Sequence, residues 1–320
     1  MYPLKLKPAF KDYLWGGSKL KTYFNKACGY EKVAESWELS CHQDGLSVIE
    51  NGEYAGMLLR DYIEKDKRVL GKNCEEFESL PILIKLIDAS HNLSLQVHPN
   101  DEQGAMDGDR GKTELWYIID CESGAEIIYG FNREISREEF LERIENNSLL
   151  EAVNRVKVKK GDSFFIPAGT LHAIGKGILI AEIQQSSNLT YRVYDYGRLD
   201  ADGNPRRLDI KKAANTVNLC PAEGFAGSAS SGDKVRLLAK CGYFTVQHAE
   251  IEGKMEFTAD FLSFNSVLVL EGSPVLEYNR GETELAKGGC VFIPAGMGEY
   301  SINGDCEVLI TSIPVKSIDN

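Results

Sequence analysis

Two of the five histidines stand where a metal ion could be held. In Ser94-Leu95-Gln96-Val97-His98-Pro99, Gln96 and His98 lie two apart in a stretch that reads as a strand, so both side chains leave by one face and can converge on a single ion. Glu114 opens the run Glu114-Leu115-Trp116-Tyr117-Ile118-Ile119 and adds a carboxylate. His172 follows the Pro167-Ala168-Gly169 turn, where a strand would re-enter a barrel. Gln96, His98, Glu114 and His172 together make a two-nitrogen, two-oxygen donor set. It suits a borderline divalent metal such as zinc and leaves a position open for water or a substrate oxygen. An iron centre of two histidines and one carboxylate is the competing metal reading. His42, His91 and His248 have no such context and are read as surface or hydrogen-bonded histidines.

Such ligands need a frame of short strands. From Ile82 onward the chain runs in β-branched and aromatic stretches broken by Gly, Asn, Asp and Pro, as in 115–119, 126–129 and 163–166. Gly161-Asp162-Ser163-Phe164-Phe165-Ile166-Pro167-Ala168-Gly169 is echoed by Gly288-Gly289-Cys290-Val291-Phe292-Ile293-Pro294-Ala295-Gly296 at a constant offset, since 288 − 161 and 299 − 172 are both 127. Each copy is a turn glycine, a strand, a Pro-x-Gly turn and a return strand, which is one corner of a β-barrel. The expected fold is therefore mainly β, two barrels in tandem. Glu299 occupies the place of His172 in the second copy, so the second barrel is expected to be metal-free. A few helices are added to the first part. One amphipathic stretch covers 56–78, a second helix starts at the capping box Ser136-Arg137-Glu138-Glu139, and a third spans 209–217. Residues 221–233 are rich in small and turn-forming residues and read as a linker, with a boundary near 230 between a catalytic part (1–230) and an all-β part (231–320).

Composition narrows the function. The 320 residues carry 36 Lys plus Arg against 48 Asp plus Glu, a net charge of −12, which excludes a basic nucleic-acid binder. The longest apolar runs, such as 81–84 and 177–181, are far short of the roughly 18 residues a membrane span needs, and the N-terminus lacks a signal-peptide core. Eight cysteines without a Cys-x-x-Cys read as free or buried thiols in a reducing compartment. These features fit a cytoplasmic protein acting on a small molecule, with no nucleic-acid or membrane partner. An anionic substrate would then need a local cluster of cations.

Gly161, Pro167, Gly169 and His172, spaced Gly-x5-Pro-x-Gly-x2-His, resemble the second cupin motif, and Gln96-x-His98 with Glu114 resembles the first with Gln in place of its leading His. Leu95-Gln96-Val97-His98-Pro99-Asn100, Gly111-Lys112-Thr113-Glu114-Leu115-Trp116-Tyr117 and Ser187-Asn188-Leu189-Thr190-Tyr191-Arg192-Val193-Tyr194-Asp195 resemble the short bacterial form of type I mannose-6-phosphate isomerase. Trp15-Gly16-Gly17 and Glu35-Ser36-Trp37-Glu38 fit that family too, and the likeness runs from about residue 3 to the C-terminus. The chain has no room for the large helical insertion of longer family members, a departure that leaves the chemistry intact and bears only on the lid and phosphate contacts.

The resemblance implies two tandem cupin barrels and a zinc-dependent aldose-ketose isomerase that interconverts mannose 6-phosphate and fructose 6-phosphate. It implies one zinc ion held by Gln96, His98, Glu114 and His172, Arg192 in a catalytic position, and Lys85 and Lys112 lining the substrate pocket. The chemistry is consistent with this. Proton transfer between adjacent carbons through an enediol needs a cation to absorb developing negative charge, and a phosphate dianion needs fixed cations, among which Arg192 offers bidentate geometry. Lys85, Lys112 and Arg192 are the candidates for the local cationic cluster. Lys85 stands in an apolar strand, where an unpaired charge would be costly. The rival functions are a non-catalytic sugar-binding or regulatory cupin that keeps the metal as a clip, and an iron-dependent cupin oxygenase.

Overall fold

The computed structural model describes residues 1–199, 202–222 and 234–315. Its central strands are buried on both faces, Ile82–Ala89 and Ile178–Gln185 at every position. This is why they read as continuous apolar runs rather than as alternating ones. The first barrel is made of two antiparallel sheets. One has six strands in the order Ser163–Ile166, Glu114–Cys121, Ile178–Gln185, Ile82–Ala89, Glu35–Leu39, Ala9–Lys11, and the other has five in the order Tyr191–Tyr194, Leu95–Val97, His172–Ala173, Glu126–Phe131, Val153–Lys157.

The second barrel pairs a four-stranded sheet (Lys254–Ala259, Gly298–Asn303, Val275–Tyr278, Gly281–Glu284) with a seven-stranded one. The larger sheet takes in two strands from the start of the chain. Leu4–Lys7 pairs with Cys290–Ile293, placing Leu4 opposite Phe292, and Val48–Ile49 pairs with Leu4–Lys7. The expected boundary near 230 lies outside the described residues.

Each barrel has its own core. Trp116, Ile118, Phe164, Ile166 and Ile180 fill the first, and Val267, Leu276, Val291, Tyr300 and Ile302 the second. A third apolar cluster, including Leu115, Tyr117, Ile183, Phe244, Leu268 and Phe292, lies between the barrels. The period-2 rule then sorts the site residues. Leu115 and Tyr117 belong to the inter-barrel cluster while Trp116 and Ile118 belong to the first core, so Glu114 faces into the first barrel. The same alternation sends Lys85, with Ile87 and Ala89, and Glu182, with Ile178 and Ile180, to that interior.

The repeat seen in the sequence is structural. Ser163–Ile166 and Cys290–Ile293 are the corresponding strands, and Gly169 and Gly296 turn with φ of 87° and 76°. Glu299, in the place of His172, is exposed.

The helix from the capping box spans Arg137–Glu145, with Ser136 accepting from the Glu139 N–H, and the third spans Ile210–Thr216. Both pack outside the five-stranded sheet, with Phe140, Ile144, Ala213 and Ala214 against Leu95, Val97 and Ala173. The 56–78 stretch departs from a single helix. It is α-helical only over Leu59–Lys65 and continues as 3₁₀ turns at Lys67–Leu70 and Lys72–Cys74, broken where Gly71 takes a φ of 88°. All eight cysteines are free. Among the described residues, no helix is long and apolar enough to cross a membrane.

Candidate active site

Two rows of cross-strand neighbours build the site. In the six-stranded sheet Glu182 pairs with Lys85 on one side and Trp116 on the other, and the next inward residue, Gln184, pairs with Glu114. In the five-stranded sheet Gln96 lies between Arg192 and His172. His98 follows the short Leu95–Val97 strand, and its carbonyl accepts from the Gly169 N–H, which ties the first histidine segment to the turn that delivers the second.

His98, Glu114 and His172 are fully buried, and one donor atom from each lies within 4.8 Å of the others. Glu114 Oε1 is 3.4 Å from His172 Nε2, and Glu114 Oε2 is 3.5 Å from His98 Nε2. His172 Nδ1–H donates to the Thr170 carbonyl at 2.9 Å, so Nε2 turns its lone pair inward. Glu114 Oε1 and His172 Nε2 are buried without a hydrogen-bond partner, and Glu114 Oε2 has the Lys112 ammonium 3.3 Å away. Acceptors left unpaired in the interior are costly, and acceptors converging on one point are what a cation satisfies.

Burial is the main cause that pushes the Glu114 carboxyl up to about 8, reinforced by Glu182 and opposed by Lys112. Burial also lowers His172 to about 4 and holds His98 well below its ordinary value. A desolvated imidazole stays neutral, which is the ligating form.

A cavity of about 370 Å³ opens beside this cluster, lined by Gln96, Lys85, Lys112, Glu182, Glu35, Arg192, Arg206, Tyr13 and Trp15 among others. Lys112 is buried, with Nζ 3.1 Å from His98 Nε2 and 3.3 Å from Glu114 Oε2. Lys85 is buried too, with Nζ 3.2 Å from Glu182 Oε1, 3.7 Å from Glu35 Oε2 and 5.0 Å from the centre of the Trp37 ring. Burial alone would lower its pKa, but Glu35, Glu182 and Glu114 together raise it above the ordinary lysine value, so Lys85 is a charged group held by carboxylates. Trp37 Nε1–H donates to Glu35 at 2.6 Å and Trp116 Nε1–H to Glu182 at 2.9 Å, which fixes both acids. For Glu182, burial works against ionisation, and Lys85 and Lys112 overcome it and lower the pKa.

Arg192 is half-buried at the other end. Its Nε donates to Ser94 Oγ at 3.2 Å and its Nη1 to the Arg207 carbonyl at 3.1 Å, and among the described residues no carboxylate pairs with it. Arg206 stands nearby but is bound to Asp195.

The structure thus gathers the predicted residues Lys85, Gln96, His98, Lys112, Glu114, His172 and Arg192 around one cavity and the cluster behind it. Glu35, Glu182, Ser94 and Arg206 are additions. Glu182 could have been found by the argument that singled out Lys85, a lone charge inside an apolar strand. Trp116 and Trp37 are core residues that also orient the two acids.

Comparison with known proteins agrees with this geometry. Residues 3–123 match the family described as "Phosphomannose isomerase type I, catalytic domain", and residues 234–313 match "Mannose-6-phosphate isomerase, cupin domain". The chain is 38% identical to mannose-6-phosphate isomerase ManA of Bacillus subtilis, over 97% of this chain and 99% of that protein. It is 36% identical to the mannose-6-phosphate isomerase of Streptococcus mutans, over 96% and 97%. The crystal structure of a mannose 6-phosphate isomerase from Bacillus subtilis superposes with a TM-score of 0.91 at 37% identity, covering 97% of this chain and 99% of that one. Matched in sequence and in fold over nearly its whole length, the chain belongs to the type I phosphomannose isomerase family.

Proposed function

We propose that this family member is a zinc-dependent isomerase that interconverts mannose 6-phosphate and fructose 6-phosphate by proton transfer through an enediol. The observation that carries the reading is the convergence of Glu114 and His172, whose Oε1 and Nε2 have no hydrogen-bond partner, with His98, beside a cavity that also holds Arg192, which no carboxylate pairs with among the described residues. Gln96, His98, Glu114 and His172 would hold the ion. When bound, zinc supplies a Lewis acid that absorbs negative charge on the sugar oxygens without changing redox state.

The remaining steps fall to the chain's own side chains. Arg192, anchored through Ser94 and backed by Arg206, would receive the phosphate, with the planar fork that a phosphate dianion fits. Lys112 and Lys85 would donate to the sugar oxygens from the cavity wall. A proton moving between adjacent carbons needs one acceptor on one side of the sugar. Glu182 is the carboxylate we assign to it, oriented by Trp116 and ionised by Lys85.

The test is mannose 6-phosphate conversion followed by NMR in heavy water. Fructose 6-phosphate should form and solvent deuterium should enter the sugar at C1 or C2. Absence of conversion by the metal-loaded protein would overturn the activity. Conversion without label after prolonged equilibration would overturn the enediol route.

A further inference from the structure

The cavity wall at Asn188, Leu189 and Thr190 joins the strand that bears Glu182 to the strand that bears Arg192. It is a loop without regular structure, so something must fix its path. We propose that Asp109, which lies outside the cavity, is a positioning residue that latches this loop and thereby sets the spacing between Arg192 and the inner end of the site. The inference rests on the isomerase reading for its kinetic readout.

Asp109 Oδ2 accepts from the Asn188 backbone N–H at 3.0 Å, and Oδ1 accepts from the Arg110 N–H at 2.8 Å. The carboxylate thus joins the loop to the segment that carries Lys112 three residues later. His42 Nε2 stands 3.6 Å from Asp109 Oδ2, which brings in a third chain segment. From that segment Asp44 accepts from Asn188 Nδ2 at 2.7 Å, so the side chain and the backbone of Asn188 are held from two directions.

The other side of the loop is held from within. Gln184, fully buried and two residues from Glu182, donates through Nε2 to the Gln185 and Ser187 carbonyls. Leu189 N–H donates to Ser187 Oγ at 3.2 Å, and the Asp109 contact holds the backbone of Asn188 beside it. Burial opposes ionisation of Asp109, but the bonds from His42, Asn188 and Arg110 hold it down to about 2, so the latch is charged throughout the neutral range. A charge-assisted bond to a backbone N–H is among the stronger single contacts, and here it acts on a part-buried loop that has no regular secondary structure. Asp109 does not line the active-site cavity but a neighbouring cleft that shares Asn188 and Leu189 with it, so it reaches the cavity through the loop.

The experiment compares the zinc-loaded protein with Asp109→Ala and Asp109→Asn in steady-state kinetics on mannose 6-phosphate, with metal content and the hydrogen exchange of the Asn188 amide measured on the same samples. Asp109→Ala should raise KM roughly tenfold with kcat changed less than about twofold and metal content unchanged. Exchange of the Asn188 amide should quicken. Asp109→Asn keeps an acceptor for that amide and should recover most of the affinity. Unchanged KM with a faster amide would overturn the positioning role, and so would a fall in kcat that tracks lost metal or lost fold. Failure of the unmodified protein to isomerise would instead refute the function, leaving the exchange result as the separate test of the latch.

Discussion

Lys85 Nζ lies 3.2 Å from Glu182 Oε1, across two adjacent strands whose register sets the residues opposite each other inside the first barrel. Both are buried in the cavity wall, so each charge leans on the other far more than on water. Removing one partner strands the other, which typically costs about 3–5 kcal/mol, whereas removing both is far milder. Lys85→Met should lower the unfolding free energy by that order and abolish activity. The double variant Lys85→Met/Glu182→Gln, which leaves Glu35 held by Trp37, should regain part of the stability and none of the activity. Urea unfolding with parallel assays reads both, and a stable, inactive Lys85→Met would show that the pair does not hold the barrel.

Of the two arginines that line the cavity, Arg206 is paired with Asp195 and Arg192 has no carboxylate partner among the described residues. Arg192→Ala should lower kcat/KM for mannose 6-phosphate by about a hundredfold or more, chiefly through KM, and weaken inhibition by inorganic phosphate in parallel. Arg192→Lys should recover only part of this, since a lysine cannot reproduce the fork. Equal losses for phosphorylated and unphosphorylated mannose would place Arg192 elsewhere in the reaction.

The two copies of the barrel corner allow a matched comparison. Gly169 has a φ of 87°, and a Cβ there would stand 3.0 Å from the Thr216 carbonyl oxygen. Its N–H also holds the His98 carbonyl. Gly169→Ala should cost about 1–2 kcal/mol and reduce metal retention. Gly296→Ala, strained by its own φ of 76°, should lower stability without touching metal content. Thermal melts with metal analysis decide this, and equal metal loss in both would break the link between the turn and His98.

Stability should fall in acid through a contact between the barrels. Burial would raise the Glu307 carboxyl, but the bonds from His248 Nε2–H at 2.8 Å and the Tyr117 hydroxyl at 2.6 Å bring it down to about 2. A carboxyl held below its ordinary value of about 4.5 contributes stability that is complete above that pH and is lost as the pH falls through about 2. Glu307→Gln should be less stable at neutral pH by on the order of 1–3 kcal/mol, a difference that shrinks between pH 4.5 and 2. Denaturation across that range checks it, and a difference that does not shrink would exclude the ionised contact as its source.

Much of this was legible in the residues. Gln96 and His98 share a face because strands alternate, and the 127-residue echo announced two barrels whose corner strands coincide in the structure. The 163–166 strand and the capped helix after Ser136 were marked by local signals, β-branched and aromatic residues and a hydroxyl three before a carboxylate. What stayed hidden depended on distant partners. The fully buried Glu35–Leu39 strand contains Glu35, Ser36 and Glu38, and it reads as polar because its acids are satisfied by Trp37, Lys85 and Lys26 rather than by water. Leu4–Lys7 finds its neighbour at Cys290–Ile293, a pairing no local pattern announces. Lys112 looks like a loop lysine beside Glu114 until the fold buries it against His98.

The most direct test of the account is a chelator titration in which zinc content and mannose 6-phosphate isomerisation are measured on the same sample. Activity should fall in proportion to zinc, reach zero with the last ion of a one-per-chain site, return on adding zinc, and be absent from His172→Ala together with the metal. Full activity in the metal-free protein, or a zinc-loaded His172→Ala that still turns over, would contradict the site described here.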